Sequence, residues 1–256
     1  MATTSIQVAE TPLVRLALQR ADDALVLGHR LSEWCGHAPV LEEDIALANL
    51  ALDLIGQARE LYALAGEAEG AGHDEDQLAY LRNERAYRNL LLLEQPNGDF
   101  ALTIARQFLY AAFIDPWWRA TLHATHPGLA AIAAKAEKET AYHLRHSAEW
   151  LIRLGDGTPE SHRRAQEALD RLWPYTGEMF EPAEATLVAD GVCADPPGLR
   201  ETWNATVDAV LAQATLQRPK DGWMQTGGRA GRHTEHLGPL LAELQYMQRV
   251  LPGAVW

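Results

Sequence analysis

Residues 11–56 read TPLVRLALQRADDALVLGHRLSEWCGHAPVLEEDIALANLALDLIG, two apolar-periodic runs flanking a short corner. Thr11-Pro12 is a cap residue followed by proline at the first helical position. The first run continues through Trp34 and stops at Gly36, with Pro39 just beyond. The second begins after Pro39 and ends near Gly66. Glu42, Glu43 and Asp44 fall in its first turn, where acidic groups complement the helix dipole. Leu47, Leu50, Leu54, Ile55 and Leu61 then recur at three- and four-residue spacing, the signature of a helix with one buried face. The stretch is expected to form a tight helical hairpin.

A second hairpin follows. One helix starts after Pro96-Asn97-Gly98-Asp99 and reaches about His123, with Pro116 inside it expected to produce a kink. The next runs from Pro127 to Gly155. Between the hairpins lies a connection of about 30 residues, Gly66 to Gln95, whose middle, DEDQLAYLRNERAYRNLLLLE, is itself helical in pattern. The preceding helix of about 26 residues is ~39 Å long at 1.5 Å per residue, so this connection can run back along it. Two tight hairpins joined by one long crossover form the ferritin-like topology. The expected fold class is therefore all-α: a ferritin-like four-helix bundle over residues 12–155 with a helical extension over 156–256, in a single domain. Within the extension, helices are expected at Leu199–Leu216 and Thr234–Val250, with RPKDGWMQTGGRAGR between them as a mobile surface loop.

Composition narrows the function. Apolar residues at 47% and charged residues at 22% are ordinary for a globular protein, and the dominance of Ala and Leu favours helix. A net charge of -13 argues against nucleic-acid binding, which needs clustered Lys and Arg. Two cysteines, Cys35 and Cys193, imply no disulfide framework. The opening MATTSIQVAETP lacks a basic region followed by an apolar core, and no apolar run approaches the ~18 residues of a membrane span. A cytoplasmic protein without membrane or nucleic-acid partners is expected.

Many ferritin-like bundles hold two irons with a Glu from each of two helices and a Glu-x-x-His from each of the other two. Counting from the corner near His37, Asp22 lies 15 residues before and Asp53 lies 16 after, so the two are level. Asp53 is followed by Leu54, Ile55 and Gly56, which leaves no Glu-x-x-His. From the turn near His126, Glu139 and His143 lie 13 and 17 residues on, at i, i+4 spacing. Opposite them stand Gln107, Leu109, Tyr110 and Ala111, with Asp115 nearer the turn beside Pro116. Asp22 or Asp23, Asp53, Glu139 and His143 are too few for two irons. They are expected to form a buried polar or salt-bridged network, with Arg106 and Gln107 as candidate partners, because lone buried charges are costly. No catalytic, cofactor-binding or metal-ligating residue is assigned.

Other constellations read as structural. His233, Glu235 and His236 in RHTEHLG lack a third metal ligand and suit a helix start. Cys35 and His37 suit a tight corner better than a nucleophile with its base. His29 and Glu33 form an ordinary helical pair. Lys220, Arg229 and Arg232 concentrate positive charge in an acidic chain and could meet an anionic cofactor tail or an acidic partner. Trp117 and Trp118 are adjacent on a helix and cannot share one face, so one of them is expected to leave the core, toward a partner. Trp256 is the last residue.

The segments LSEWCGHAPVLEEDIALANLALDLIGQAR (31–59), NLLLLEQPNGDFALTIARQFL (89–109) and TGGRAGRHTEHLGPLLAELQYMQRVLPG (226–253) resemble the C subunits of 1,2-phenylacetyl-CoA epoxidases, and the likeness extends from about residue 13 onward. The resemblance implies a ferritin-like subunit without irons or other cofactor of its own. It implies pairing with a related A subunit that holds the di-iron centre and the substrate, phenylacetyl-CoA. A small B subunit would bridge such pairs, and a reductase carrying FAD and an iron–sulfur cluster would supply electrons. Two other readings stay open on the residues alone: a di-metal oxygenase in its own right, and an acyl-CoA-binding module using Lys220, Arg229 and Arg232.

Overall fold

The computed structural model describes residues 5–254; Trp256 lies outside the described residues. Among these, nine α-helices occur and no strand: α1 Pro12–Ser32, α2 Leu41–Glu69, α3 Glu75–Tyr80, α4 Phe100–Thr121, α5 Pro127–Gly155, α6 Pro159–Leu172, α7 Ala185–Ala189, α8 Arg200–Gln213 and α9 Leu237–Val250. The all-helical class expected from the sequence is the one formed. None of these helices is long and apolar enough to cross a membrane.

The chain divides into two compact units. The first takes residues up to His37, Glu42–Pro96 and everything from Gly227 onward. Its α1 begins where Thr11 accepts a hydrogen bond on its hydroxyl from Val14 N at 3.3 Å, with Pro12 at the first position. The helix ends one turn before Gly36, which adopts φ +81° and donates its N–H to Asp44 of α2 at 2.9 Å. α1 and α2 run antiparallel. A Cβ on Gly28 would stand 3.2 Å from Ala51 O, so glycine allows close approach there. Further along, Tyr62 of α2 reaches Asp22 of α1.

The crossover departs from the sequence expectation. It is helical only at α3 and in one 3-10 turn, Glu84–Ala86. Tyr87 and Asn89–Gln95 are buried and irregular. Buried backbone outside helices needs partners for its N–H and C=O groups, and side chains of α1 supply several of them.

The second unit contains Asn97–Thr226. α4 is buried on all sides from Ala101 to Asp115, as an all-round apolar helix must be, and runs unbroken through Pro116. α5 lies antiparallel to it, with Phe100 edge-on to Trp150 at 5.2 Å and Arg119 3.9 Å from Glu137. α6 and α8 also pack on α4. Trp117 and Trp118 both sit in the core, 0% and 1% exposed, edge to face at 4.7 Å. The expectation that one would leave the core fails: both rings are covered, although Arg119 and Ala120 next to them are exposed.

Candidate functional site

The buried charges of the first unit centre on two adjacent residues of α1. Asp22 and Asp23 are both wholly buried. Consecutive residues of a helix diverge by about 100°, so each carboxylate serves a separate cluster.

Asp22 accepts four hydrogen bonds. Its Oδ1 takes the Tyr62 hydroxyl proton at 2.6 Å and an Nη2 hydrogen of Arg82. Its Oδ2 takes Nη1 of Arg82 at 3.1 Å and the backbone N–H of Arg88 at 2.7 Å. Arg82 is itself wholly buried, and each of its five N–H groups finds an acceptor. The three remaining bonds go to Leu78 O (2.6 Å), Ala86 O (2.9 Å) and the Tyr62 hydroxyl (3.1 Å). The guanidinium also stacks 4.4 Å from the centre of the Tyr87 ring. Burial opposes the charge on Arg82 most strongly, but Asp22, by charge and hydrogen bond, together with Tyr62 and Tyr87 outweighs that cost and raises its pKa above the ordinary value. Burial, reinforced by the Asp22 charge, raises the Tyr62 phenol and keeps it neutral. Burial likewise raises Tyr87, against the pull of Arg82.

Asp23 is filled in the same way. Oδ1 accepts from Leu90 N at 2.8 Å and Arg229 Nη1 at 2.9 Å; Oδ2 accepts from Arg229 Nη2 at 2.7 Å and Arg20 Nη1 at 3.2 Å. Arg229 grips it as a bidentate fork, a strong charge-assisted geometry, and also donates to Arg88 O at 2.6 Å. The backbone around Arg229 is tightly placed. Gly227 and Gly231 take φ of +137° and +72°, and a Cβ on Gly231 would lie 2.2 Å from Arg85 O. The glycines of TGGRAGR thus permit close approach to the crossover.

A third buried carboxylate, Glu94, closes the arrangement. It accepts from Thr234 N at 2.6 Å, from Asn89 Nδ2 at 3.0 Å and from the His233 ring at 3.0 Å. The other ring nitrogen of His233 faces Tyr87 O at 3.1 Å. His233 and Thr234 bond Glu94, and α9 starts at Leu237 with His236 at its N-cap position, three residues later than the start expected at Thr234.

Within each unit, the residues singled out in the sequence take separate partners. Asp22 and Asp23 are buried and bonded, but to Arg82, Arg20 and Arg229. Arg106 instead bonds Asn97 Oδ1 at 2.6 Å in the second unit. Asp53 is half-buried on α2. Glu139 faces Lys135 at 3.8 Å on α5, and His143 is buried on the same helix. Cys35 and His37 are exposed at the α1–α2 corner, and Asp115 is buried beside Arg119 at 2.9 Å. His29 and Glu33 lie 4.0 Å apart one turn along α1, and burial lowers the His29 pKa against the opposing charge of Glu33. Lys220 and Arg232 are exposed, but Arg229 is committed to Asp23. The segment 227–232 is thus anchored by a buried ion pair, which corrects the mobile-loop expectation for that half of the loop.

Arg82, Glu94 and Tyr62 escaped sequence reasoning. Their one signal was ADDALVL (21–27), where two acids within an apolar run require buried cations. Among the described residues, no group of three or more His, Cys, Asp or Glu side chains is placed to hold a metal ion. A carboxylate offers about four lone-pair sites, and both aspartates have four donors.

An all-helical chain with these features belongs to the phenylacetic acid catabolic protein family, whose family model matches residues 1–256. The resemblance drawn from the three sequence segments holds at the level of the whole chain. The chain is 52% identical over 250 residues to the C subunit of the 1,2-phenylacetyl-CoA epoxidase of Escherichia coli (strain K12), a match that covers 95% of this chain and 99% of that protein.

Proposed function

We propose that this chain is a non-catalytic structural subunit of a cytoplasmic 1,2-phenylacetyl-CoA epoxidase complex, in which it pairs with and supports a di-iron catalytic subunit. One observation carries the reading: Asp22 and Asp23 are each saturated by four donors, with arginines neutralising both. Carboxylates committed in this way are unavailable as iron ligands. They serve instead to fix the crossover and the segment 227–232 against α1. The identity to the C subunit of an epoxidase supplies the reaction and the multi-subunit setting. In such a complex the catalytic subunit would hold the irons and the acyl-CoA, a small subunit would bridge the pairs, and a flavin and iron–sulfur reductase would deliver electrons. A rigid scaffold stabilises a partner whose own core must keep buried carboxylates for metal, because binding the folded state favours it.

Reconstitution tests this. The catalytic subunit is expressed with its reductase, with and without this chain, and phenylacetyl-CoA epoxidation is measured. Activity and soluble yield of the catalytic subunit are expected to fall sharply without the chain. Full activity in its absence would overturn the proposal.

A further inference from the structure

The inner face of α2 carries Leu47, Leu50, Leu54, Ala58 and Leu61, all buried. A second apolar line runs along the same helix. Ile45, Ala48, Leu52 and Ile55 follow one another at three- and four-residue steps, which places them on one side of a helix over three turns. This line is open to solvent: Ile45 is 56% exposed, Leu52 65% and Ile55 41%. Single exposed aliphatics are commonplace, but a contiguous row of them marks an interaction surface.

The row has a charged border. Glu42, Asn49, Asp53, Glu60 and Glu67 recur at steps of four and seven along α2, about a quarter turn round from the apolar row. Four of the five are acids. Arg59, toward the far end, is engaged with Glu75 at 3.2 Å. The surface is thus aliphatic along its crest and acidic along one edge.

We propose that this face of α2 docks a helix of a different subunit, aliphatic along the line of contact and edged by Lys or Arg. Three turns of regular helix present ridges that suit another helix. The acidic edge selects a basic one and discriminates against like charge. A second copy of this chain fits poorly, because an antiparallel copy would set two acidic edges side by side and each copy has a net charge of -13. The inference rests on the proposed pairing with the di-iron subunit, since it assigns the surface through which that pairing is made.

The test uses the full-length chain and the purified di-iron subunit, with affinity measured by surface plasmon resonance and the chain's own mass by sedimentation. The probes are Leu52→Glu on the row, Glu42→Lys with Glu67→Lys on the edge, and Val250→Glu at an exposed position of α9 as control. Leu52 and Val250 are solvent-exposed, so unchanged circular-dichroism melts are expected. Leu52→Glu is expected to weaken binding by roughly tenfold or more. The edge variant is expected to slow association most at low salt, and Val250→Glu to bind like the unaltered chain. Unchanged binding by Leu52→Glu would overturn this assignment while leaving the pairing intact. A self-associated chain that Leu52→Glu turns into a monomer would overturn the choice of occupant. Failure of the unaltered chain to bind the di-iron subunit would sink the pairing itself.

Discussion

The two units hold their interiors by opposite means. In the first, an irregular crossover is buried against α1, and its backbone is satisfied by charged side chains: Asp22 takes Arg88 N, Asp23 takes Leu90 N, and Arg82 donates to Leu78 O and Ala86 O. In the second, regular helices close on an aromatic ladder. Phe113, Phe180, Trp203 and Trp173 follow at centroid spacings of 5.5, 5.4 and 5.6 Å, and Arg218 lies 5.0 Å over Trp173. Regular helix satisfies its own backbone, so α4 and α5 need fewer side-chain partners for theirs than the crossover does. Irregular buried backbone cannot, and it requires ion pairs whose desolvation is offset only while every partner is present. The first unit is therefore expected to respond sharply to loss of one charge, and the second to loss of ring volume.

The largest effect is expected at Arg82. Arg82→Met leaves Asp22 buried without its cation and should cost about 3–5 kcal/mol in chemical denaturation. Combining it with Asp22→Asn should recover much of that loss, because the uncompensated charge is gone. If the double variant were no more stable than Arg82→Met alone, the crossover would not depend on this charge balance. Arg229→Ala should cost less, about 1.5–3 kcal/mol, because Arg20 still bonds Asp23.

In the second unit, Trp203 donates its indole N–H to Leu109 O at 3.0 Å. Trp203→Phe keeps a ring but loses that bond and some volume, for about 1–2 kcal/mol. Equal costs for Trp203→Phe and Arg82→Met would erase the contrast between the units.

Alkaline pH provides a milder probe. Burial first, and then the Asp22 charge, raises the Tyr62 phenol above its ordinary value of 10.0. The folded chain keeps this proton longer than the unfolded chain does. The resulting stability is present in full below pH 10 and is lost as pH climbs from there toward the folded value. Tyr62→Phe should start less stable but lose stability less steeply above pH 10, followed by urea midpoints. The smallest effect belongs to a surface pair. Arg163 meets Glu167 at 2.6 Å with both side chains more than half exposed, and Arg163→Ala should leave the denaturation midpoint unmoved.

What the sequence disclosed follows the same division. α5 begins at Pro127 and ends at Gly155 as its punctuation predicts, and α1 starts at Pro12 behind Thr11. These signals are local and survive in any tertiary setting. The crossover is different. Its run LLLLE (90–94) has no period, and its conformation is fixed by Asp23, 67 residues away, and by Arg229 reaching Arg88 O across 141 residues. Sequence spacing carries no trace of such pairings, so Asp22 and Asp23 were visible as an anomaly while their partners were not. The same holds for Trp118: helical geometry separates it from Trp117, but only the tertiary fold encloses both.

The central claim is that Asp22 and Asp23 are fully committed to arginines, the Tyr62 hydroxyl and backbone N–H groups. Iron analysis tests it most directly. The isolated chain is incubated anaerobically with ferrous salt, desalted, and assayed for iron by mass spectrometry alongside the proposed catalytic partner treated identically. Iron at background in this chain, and two per chain in the other, is the predicted result. Two tightly bound irons per molecule of this chain would contradict the account.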